Sequence, residues 1–238
     1  MCGRYNLRAT PQQLAEFFAL LREPAWEPRY NIAPTQLIGA VRRLTADGPR
    51  EWTTLRWGLI PSWSKDASGA SHMINARAET VADKPAFRVP FRRKRCLIPA
   101  SGYYEWQSPS ANAESSPTSR RPLKQPFLIS RKDEPLMAFA GLWDQWRNPE
   151  GTTWETGTIL TTEASAGMSR VHDRMPVILS PEDFDLWLDP SQQDPDELRG
   201  LLMPLPADSM QAVPVSTVVN NARHESPECV TPSGPPLL

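Results

Sequence analysis

Leu136-Met137-Ala138-Phe139-Ala140-Gly141-Leu142-Trp143 is the longest apolar run in this chain of 238 residues. Eight residues fall far short of the ~20 that a membrane span needs, but they suit a buried strand. Segments of similar character surround this one: 36–44, 51–57, 97–106, 125–132, 153–161 and 175–180. Helical signals are fewer. Over residues 10–21, Thr10 can cap and Pro11 takes the first helical position. Leu14, Phe17, Phe18 and Leu21 then form one apolar stripe. Ser180-Pro181 opens a second helix through Leu188. Asp194-Pro195, with Glu197 three residues after the cap, opens a third through Leu202. Short strands outnumber helices and no βαβ rhythm repeats. The expected fold is therefore α+β, a single domain with a mostly antiparallel, barrel-like β core and peripheral helices.

Strand segments flank the Ser/Pro/Ala-rich stretch 107–122 on both sides. One domain over 2–225 is expected, with 107–122 as a mobile loop insertion and 226–238 as a disordered tail. The 26 prolines are roughly twice average usage. Three widely spaced cysteines argue against a disulfide scaffold and for a reducing compartment. The N-terminus lacks the apolar core of a secretory signal, so a cytoplasmic protein is expected. The net charge of −1 hides an asymmetry. Residues 1–100 hold 16 Lys and Arg against 8 Asp and Glu; the remainder hold 10 against 19. Either the first part binds polyanions, or the two parts pair their charges on folding.

Four segments could carry chemistry. Met1 is cleaved by methionine aminopeptidase when residue 2 is small, and Cys2 qualifies. The mature chain would then begin with a 1,2-aminothiol. Its α-amine has a reference pKa of ~7.7–8.0, so part of it is a neutral nucleophile near neutrality. Its thiol can close a five-membered ring on any imine the amine forms. The plainer reading is a processing preference. In Ile74-Asn75-Ala76-Arg77, extended geometry gives Asn75 and Arg77 one face, an amide beside a cation, or simply a polar edge. Gly102-Tyr103-Tyr104-Glu105-Trp106 sets one carboxylate among aromatics. Desolvation there would raise its pKa toward general acid–base use, unless an arginine pairs with it. In Val171-His172-Asp173-Arg174, His172 and Arg174 could pair a proton carrier with a phosphate clamp, or His172 could be an ordinary surface histidine. Trp57 and Trp63 flank a turn and suit base stacking as well as a core. Arg92-Arg93-Lys94-Arg95 could track a nucleic-acid backbone or form a solvated face.

Motifs for other classes are missing. There is no C-x-x-C, no H-x-x-x-H, no Walker or dinucleotide glycine loop and no G-x-S-x-G elbow. No metal and no cofactor are expected.

The ordered set Met1–Tyr5, Tyr30–Thr35, Trp57–Trp63, Asn75–Thr80, Arg95–Pro99, Gly102–Trp106 and His172–Pro176 resembles the SRAP family, the abasic-site processing proteins. The resemblance spans roughly residues 2–190. It implies a single α+β domain with a positively charged groove that binds single-stranded DNA, including single-strand/duplex junctions, and works at the nucleoid during DNA damage. A monomer is expected. It also implies that Cys2 traps abasic sites covalently as a thiazolidine. Glu105 would shuttle protons, His172 would donate one to open the sugar ring, and Asn75 would orient the N-terminus. Arg4, Arg77 and Arg174 would hold phosphates, Trp63 would stack, and Thr161 would sit near the site. One departure stands out. Family members often carry a second aromatic after the tryptophan of the Pro-x-Trp segment, whereas Trp63 is followed by Ser64. Two alternatives remain: a cysteine peptidase with Cys2 as N-terminal nucleophile, and a non-covalent single-strand binding module.

Overall fold

A computed structural model describes residues 2–108 and 124–237. Its strands are β1 (Tyr5–Leu7), β2 (Arg29–Ile32), β3 (Leu37–Arg42), β4 (Glu51–Trp57), β5 (Asn75–Arg77), β6 (Arg95–Ala100) and β7 (Gly102–Gln107). They continue with β8 (Gln125–Arg131), β9 (Met137–Arg147), β10 (Thr153–Glu163), β11 (Arg174–Pro176), β12 (Ile178–Leu179) and β13 (Met210–Pro214). The helices are α1 (Pro11–Phe18), α2 (Arg88–Arg93), α3 (Phe184–Leu188) and α4 (Pro195–Gly200). Among the described residues, no helix is long and apolar enough to cross a membrane.

The opening apolar run becomes β9, which lies at the centre of the architecture. β10 pairs with β4, β4 with β3, β3 with β6, β6 with β9, and β9 back to β10. This ring is a closed five-strand barrel, which removes exposed edges. Both residue faces of β9 are buried from Met137 to Trp143, so it reads as a continuous hydrophobic run rather than an alternating one. A second sheet, in the order β13-β8-β7-β1-β2, packs against the barrel. Tyr5 of β1 and Tyr103 of β7 are register partners, and both meet Phe139 edge-on at 6.0 Å. Such aromatic pairs add roughly 0.5–1.5 kcal/mol beyond their burial. The pairings are antiparallel as expected, except that β10 runs parallel to β4 and β5. The chain is thus one α+β domain on a barrel core.

Several expectations need correction. The segment 97–106 is two strands in different sheets. The chain turns at Ser101, whose N–H donates to the Asn6 carbonyl and whose hydroxyl accepts from the Arg8 N–H. Segment 175–180 likewise divides, β11 pairing with β10 and β12 with β9. Thr10 does cap α1 in a capping box with Gln13. The helix then ends at Phe18, because Ala19 adopts φ 50°. Leu21 therefore leaves the stripe and is 80% exposed. The basic run is no single face. Arg95 is 3% exposed and donates to five backbone carbonyls: Phe91, Arg92, Trp187, Asp189 and Gln192. Burial lowers its pKa to about 10.

The tail expected to be disordered is ordered from Ser226. Ser226 caps a 3-10 turn, and Cys229 is fully buried. The N–H groups of Ser233 and Leu237 then donate to Pro214 and Ala212 of β13, covering what would otherwise be an open sheet edge. The expected loop 107–122 begins as the last residue of β7; from residue 109 it lies outside the described residues.

Gly58 positions the turn that carries Trp63. Its φ is +128°, and a Cβ there would stand 2.7 Å from the Ala70 carbonyl oxygen. Gly58→Ala is expected to cost about 1–3 kcal/mol, read as a lower midpoint in chemical denaturation with an unchanged m-value. An unchanged midpoint would show that the turn relaxes freely.

Candidate active site

Cys2 lies just before β1, separated from it by Gly3 and Arg4, and is fully buried. Two backbone contacts fix it. The Asn75 side-chain amide donates to the Cys2 carbonyl at 2.8 Å, and the Arg4 N–H reaches the Cys2 sulfur. Asn75 is held in turn because β5 hydrogen-bonds to β10, with Asn75 opposite Ile159 and Arg77 opposite Thr161. The Asn75 amide oxygen is buried without a hydrogen-bond partner among the described residues. Glu105 reaches the same place through period-two alternation on β7. Tyr104 and Trp106 pack with Val215, Val219 and Cys229 in a small outer cluster. Tyr103 and Glu105 point the other way, toward Cys2. Glu105 is 3% exposed. His172 follows a 3-10 turn, and its Nε2 lies 4.0 Å from Glu105 Oε2.

Burial dominates the electrostatics. It pushes the Cys2 thiol well up, and the nearby Glu105 charge pushes it further. Burial also raises the Glu105 carboxyl, with His172 pulling the other way. His172 Nδ1 meets the Arg174 backbone N–H at 3.0 Å and Asp173 Oδ1 at 2.8 Å. The two contacts ask for opposite tautomers. Asp173 is 86% exposed and screened by water, whereas the backbone donor is fixed. We therefore assign Nδ1 as acceptor, which leaves the Nε2 proton facing Glu105.

The residues expected to hold DNA divide into groups. The Arg77 side chain is exposed, with no hydrogen bond or ion pair among the described residues. Trp63 is 66% exposed, whereas Trp57 is fully buried and donates to the Ile74 carbonyl at 2.8 Å. Trp57 is therefore a core residue. Trp63 sits on a pinned turn: Ser62 N–H donates to the buried Asp144 carboxylate at 2.8 Å, and Trp146 donates to the Ser64 carbonyl at 2.7 Å. Arg4 is occupied within the fold, donating to Asn31 Oδ1 and to the Val219 carbonyl, both at 2.8 Å. Arg174 is also occupied. It grips Glu79 with both terminal nitrogens, at 2.7 and 2.9 Å, and donates to the Thr161 carbonyl at 2.6 Å. Thr161 is buried on β10, its hydroxyl 3.4 Å from Arg174 Nη2.

Sequence reasoning gave no role to Asn31 or Glu79, although both lie within quoted motifs. Asn31 accepts from Arg4 and donates to the carbonyls of Val219, Asn221 and His224. Those partners are 188 to 193 residues away, and no local pattern reveals them. Part of the charge asymmetry is internal. Arg29, Arg42, Arg43, Arg50 and Lys94 pair with Glu225, Glu155, Asp185 and Asp144 of the acidic remainder.

The barrel thus carries a buried cysteine at position 2 with an amide and a carboxylate beside it, and an imidazole 4.0 Å from that carboxylate. The SOS response associated peptidase (SRAP) family matches residues 1–222, and the chain belongs to that family. It is 42% identical over 233 residues to abasic site processing protein YoqW of Bacillus subtilis (strain 168), covering 97% of this chain and 99% of that one. It is 32% identical to abasic site processing protein HMCES of Rattus norvegicus, covering 98% of this chain and 76% of that one. A crystal structure of a protein from Bacteroides thetaiotaomicron superposes with a TM-score of 0.82 at 27% identity, over 98% of this chain and all of that one.

Proposed function

We propose that this chain processes abasic sites in single-stranded DNA by trapping them covalently on Cys2. The observation that carries this reading is that Asn75 and Glu105 meet at a cysteine that becomes the first residue once Met1 is removed, with His172 4.0 Å from Glu105. The Cys2 α-amine attacks C1′ of the ring-opened sugar, and loss of water leaves an imine. The thiol then adds to the imine carbon while its proton passes to the nitrogen. The thiazolidine forms with one water released and no change of oxidation state. Glu105 removes the proton from the attacking amine and returns one to the departing hydroxyl. The Nε2 proton of His172 faces the sugar oxygen as the ring opens. The unpartnered Asn75 amide oxygen accepts from the Cys2 amine.

The pKa directions favour this order over a peptidase. A peptidase nucleophile is a thiolate, and burial together with Glu105 holds the Cys2 thiol protonated. Adding a thiol to an imine tolerates that state, because the proton is consumed in the same step. A purely non-covalent module needs no carboxylate buried beside the cysteine. Intact mass of the purified protein with and without an abasic oligonucleotide tests the proposal. Met1 should be absent, and the adduct should weigh protein plus DNA less one water. Met1 retained on protein that still crosslinks would overturn the aminothiol step.

Arg77 and Trp63 remain available to the DNA, Trp63 as a platform for a terminal base pair at a junction. Ser64 adds no second platform; its hydroxyl donates to the Asp66 carbonyl at 2.7 Å. Arg77→Ala should weaken binding and flatten the log–log salt slope by about 0.7. Arg174→Ala should in addition lower thermal stability, because Glu79 loses its bidentate partner. Salt slopes unchanged in both variants would move the phosphate path elsewhere.

A further inference from the structure

Residues 2–4 precede β1, and the end of a chain frays unless it is tied down. The Asn75 amide supplies one tie, to the Cys2 carbonyl. Arg4 supplies another. Its N–H reaches the Cys2 sulfur, and its carbonyl accepts the Tyr104 N–H of β7 at 2.9 Å. The Arg4 side chain is in turn anchored from the far end of the sequence. It donates to Asn31 Oδ1 and to the Val219 carbonyl, and its guanidinium lies 5.8 Å from the centre of the Trp106 ring. The segment 216–230 that meets it contains two 3-10 turns, Thr217–Asn220 and Pro227–Val230. Trp106 donates to Asn220 Oδ1 at 2.6 Å, which fixes this segment on the side of β7 opposite Glu105.

Asn31 joins the two ends. It is fully buried on β2. Its Oδ1 accepts from Arg4 at 2.8 Å, and its Nδ2 donates to the carbonyls of Val219, Asn221 and His224 at 3.4, 3.0 and 2.7 Å. A side-chain amide can do both, because it carries an acceptor and a donor side by side. Aspartate would turn an oxygen on those carbonyls, and leucine would leave both sets unpaired. Glu225 closes the junction, accepting the N–H groups of Tyr30 and Asn31 and meeting Arg29 at 3.4 Å.

We propose that Asn31 is a positioning residue for ring closure: together with the segment 216–230 it holds Arg4, and through Arg4 it keeps the Cys2 thiol where the imine carbon forms. The inference rests on the abasic-site reading above and deepens it by naming what orders the reactive end of the chain. In the step concerned, the S–C bond forms, the C=N double bond becomes single, and the thiol proton passes to nitrogen. A thiol already held in place loses no rotational freedom at that moment.

The test uses the full-length mature protein. Three rates are compared: the unreduced, detergent-stable crosslink to an abasic strand, the borohydride-trapped crosslink to the same strand, and the stable adduct with propanal, a small aldehyde that needs no DNA. Asn31→Ala and Arg4→Ala should each slow the first and third about fivefold to tenfold and leave the second within about twofold. The double variant should be no slower than Arg4→Ala alone, because Asn31 acts through Arg4. Glu225→Ala loosens the junction at a partly exposed residue. It should slow the same two rates by a smaller factor, and it carries the test if Asn31→Ala does not fold. Equal losses in all three rates, additive losses in the double variant, or no loss at all would overturn the inference. If the propanal adduct slows as stated but the unsubstituted protein crosslinks no abasic strand, the positioning role stands and the abasic-site reading falls.

Discussion

Cys2→Ala is expected to abolish the detergent-stable crosslink to abasic DNA while leaving reversible binding intact. Alanine is small enough for Met1 still to be removed, so the variant keeps a free α-amine and can form the imine. It lacks the sulfur that converts a hydrolysable imine into a ring. Boiling in detergent should leave no shifted DNA band without reductant. Borohydride, which reduces the imine to a stable amine, should restore the band. The surrounding fold should tolerate the change, because the carbonyl that Asn75 holds belongs to the backbone. An unreduced, detergent-stable crosslink from Cys2→Ala would end the thiazolidine assignment.

Glu105→Gln is expected to slow crosslinking by about 10²–10⁴-fold, the contribution of a positioned acid–base group, while changing DNA affinity far less. The amide preserves shape and loses the proton. Burial sets the accompanying pH dependence, since it raises the Glu105 pKa. The unsubstituted protein's rate should climb with pH through a window above the ordinary glutamate value, as the base form accumulates. The glutamine variant should show no climb in that window. Stability runs the opposite way. Between the unfolded and the raised folded pKa, the folded chain holds a proton that the unfolded chain has released. Glu105 therefore costs stability as pH rises through that window. Glu105→Gln should flatten that decline in Tm measured against pH. An unchanged rate with normal affinity would demote Glu105 to a structural role.

The barrel was legible because β3, β4, β9 and β10 announce themselves by apolar content and nearby turns, and because α1 begins with a capping box. The shortest strands were not. β1, β2 and β5 have three or four residues each, too few to show a period. They exist because the neighbouring sheet supplies their hydrogen bonds. β5 was nonetheless read as extended, which was enough to group Asn75 with Arg77. α2 escaped notice because Pro90 and three arginines mask the buried Phe91. The candidate site was legible as residue types in order. Its internal economy was not: nothing in a linear reading says that Arg174 is spent on Glu79, that Arg4 is spent on Asn31, or that the proline-rich end of the chain is sewn to β13. Those assignments depend on partners distant in sequence, up to the 215 residues between Arg4 and Val219.

The contact between Asn75 and the Cys2 carbonyl has one more implication. That oxygen takes no part in imine formation, in ring closure or in their reversal. The clamp therefore holds an inert handle while both reactive atoms remain free to change partners. Free cysteine, imine and thiazolidine would all be gripped alike at that carbonyl, so this contact need not break to let a lesion go. On the proposed reaction, whether the linkage persists would be decided by the proton inventory around Glu105 and His172 and by whether the DNA stays in its groove, rather than by any latch that must first open.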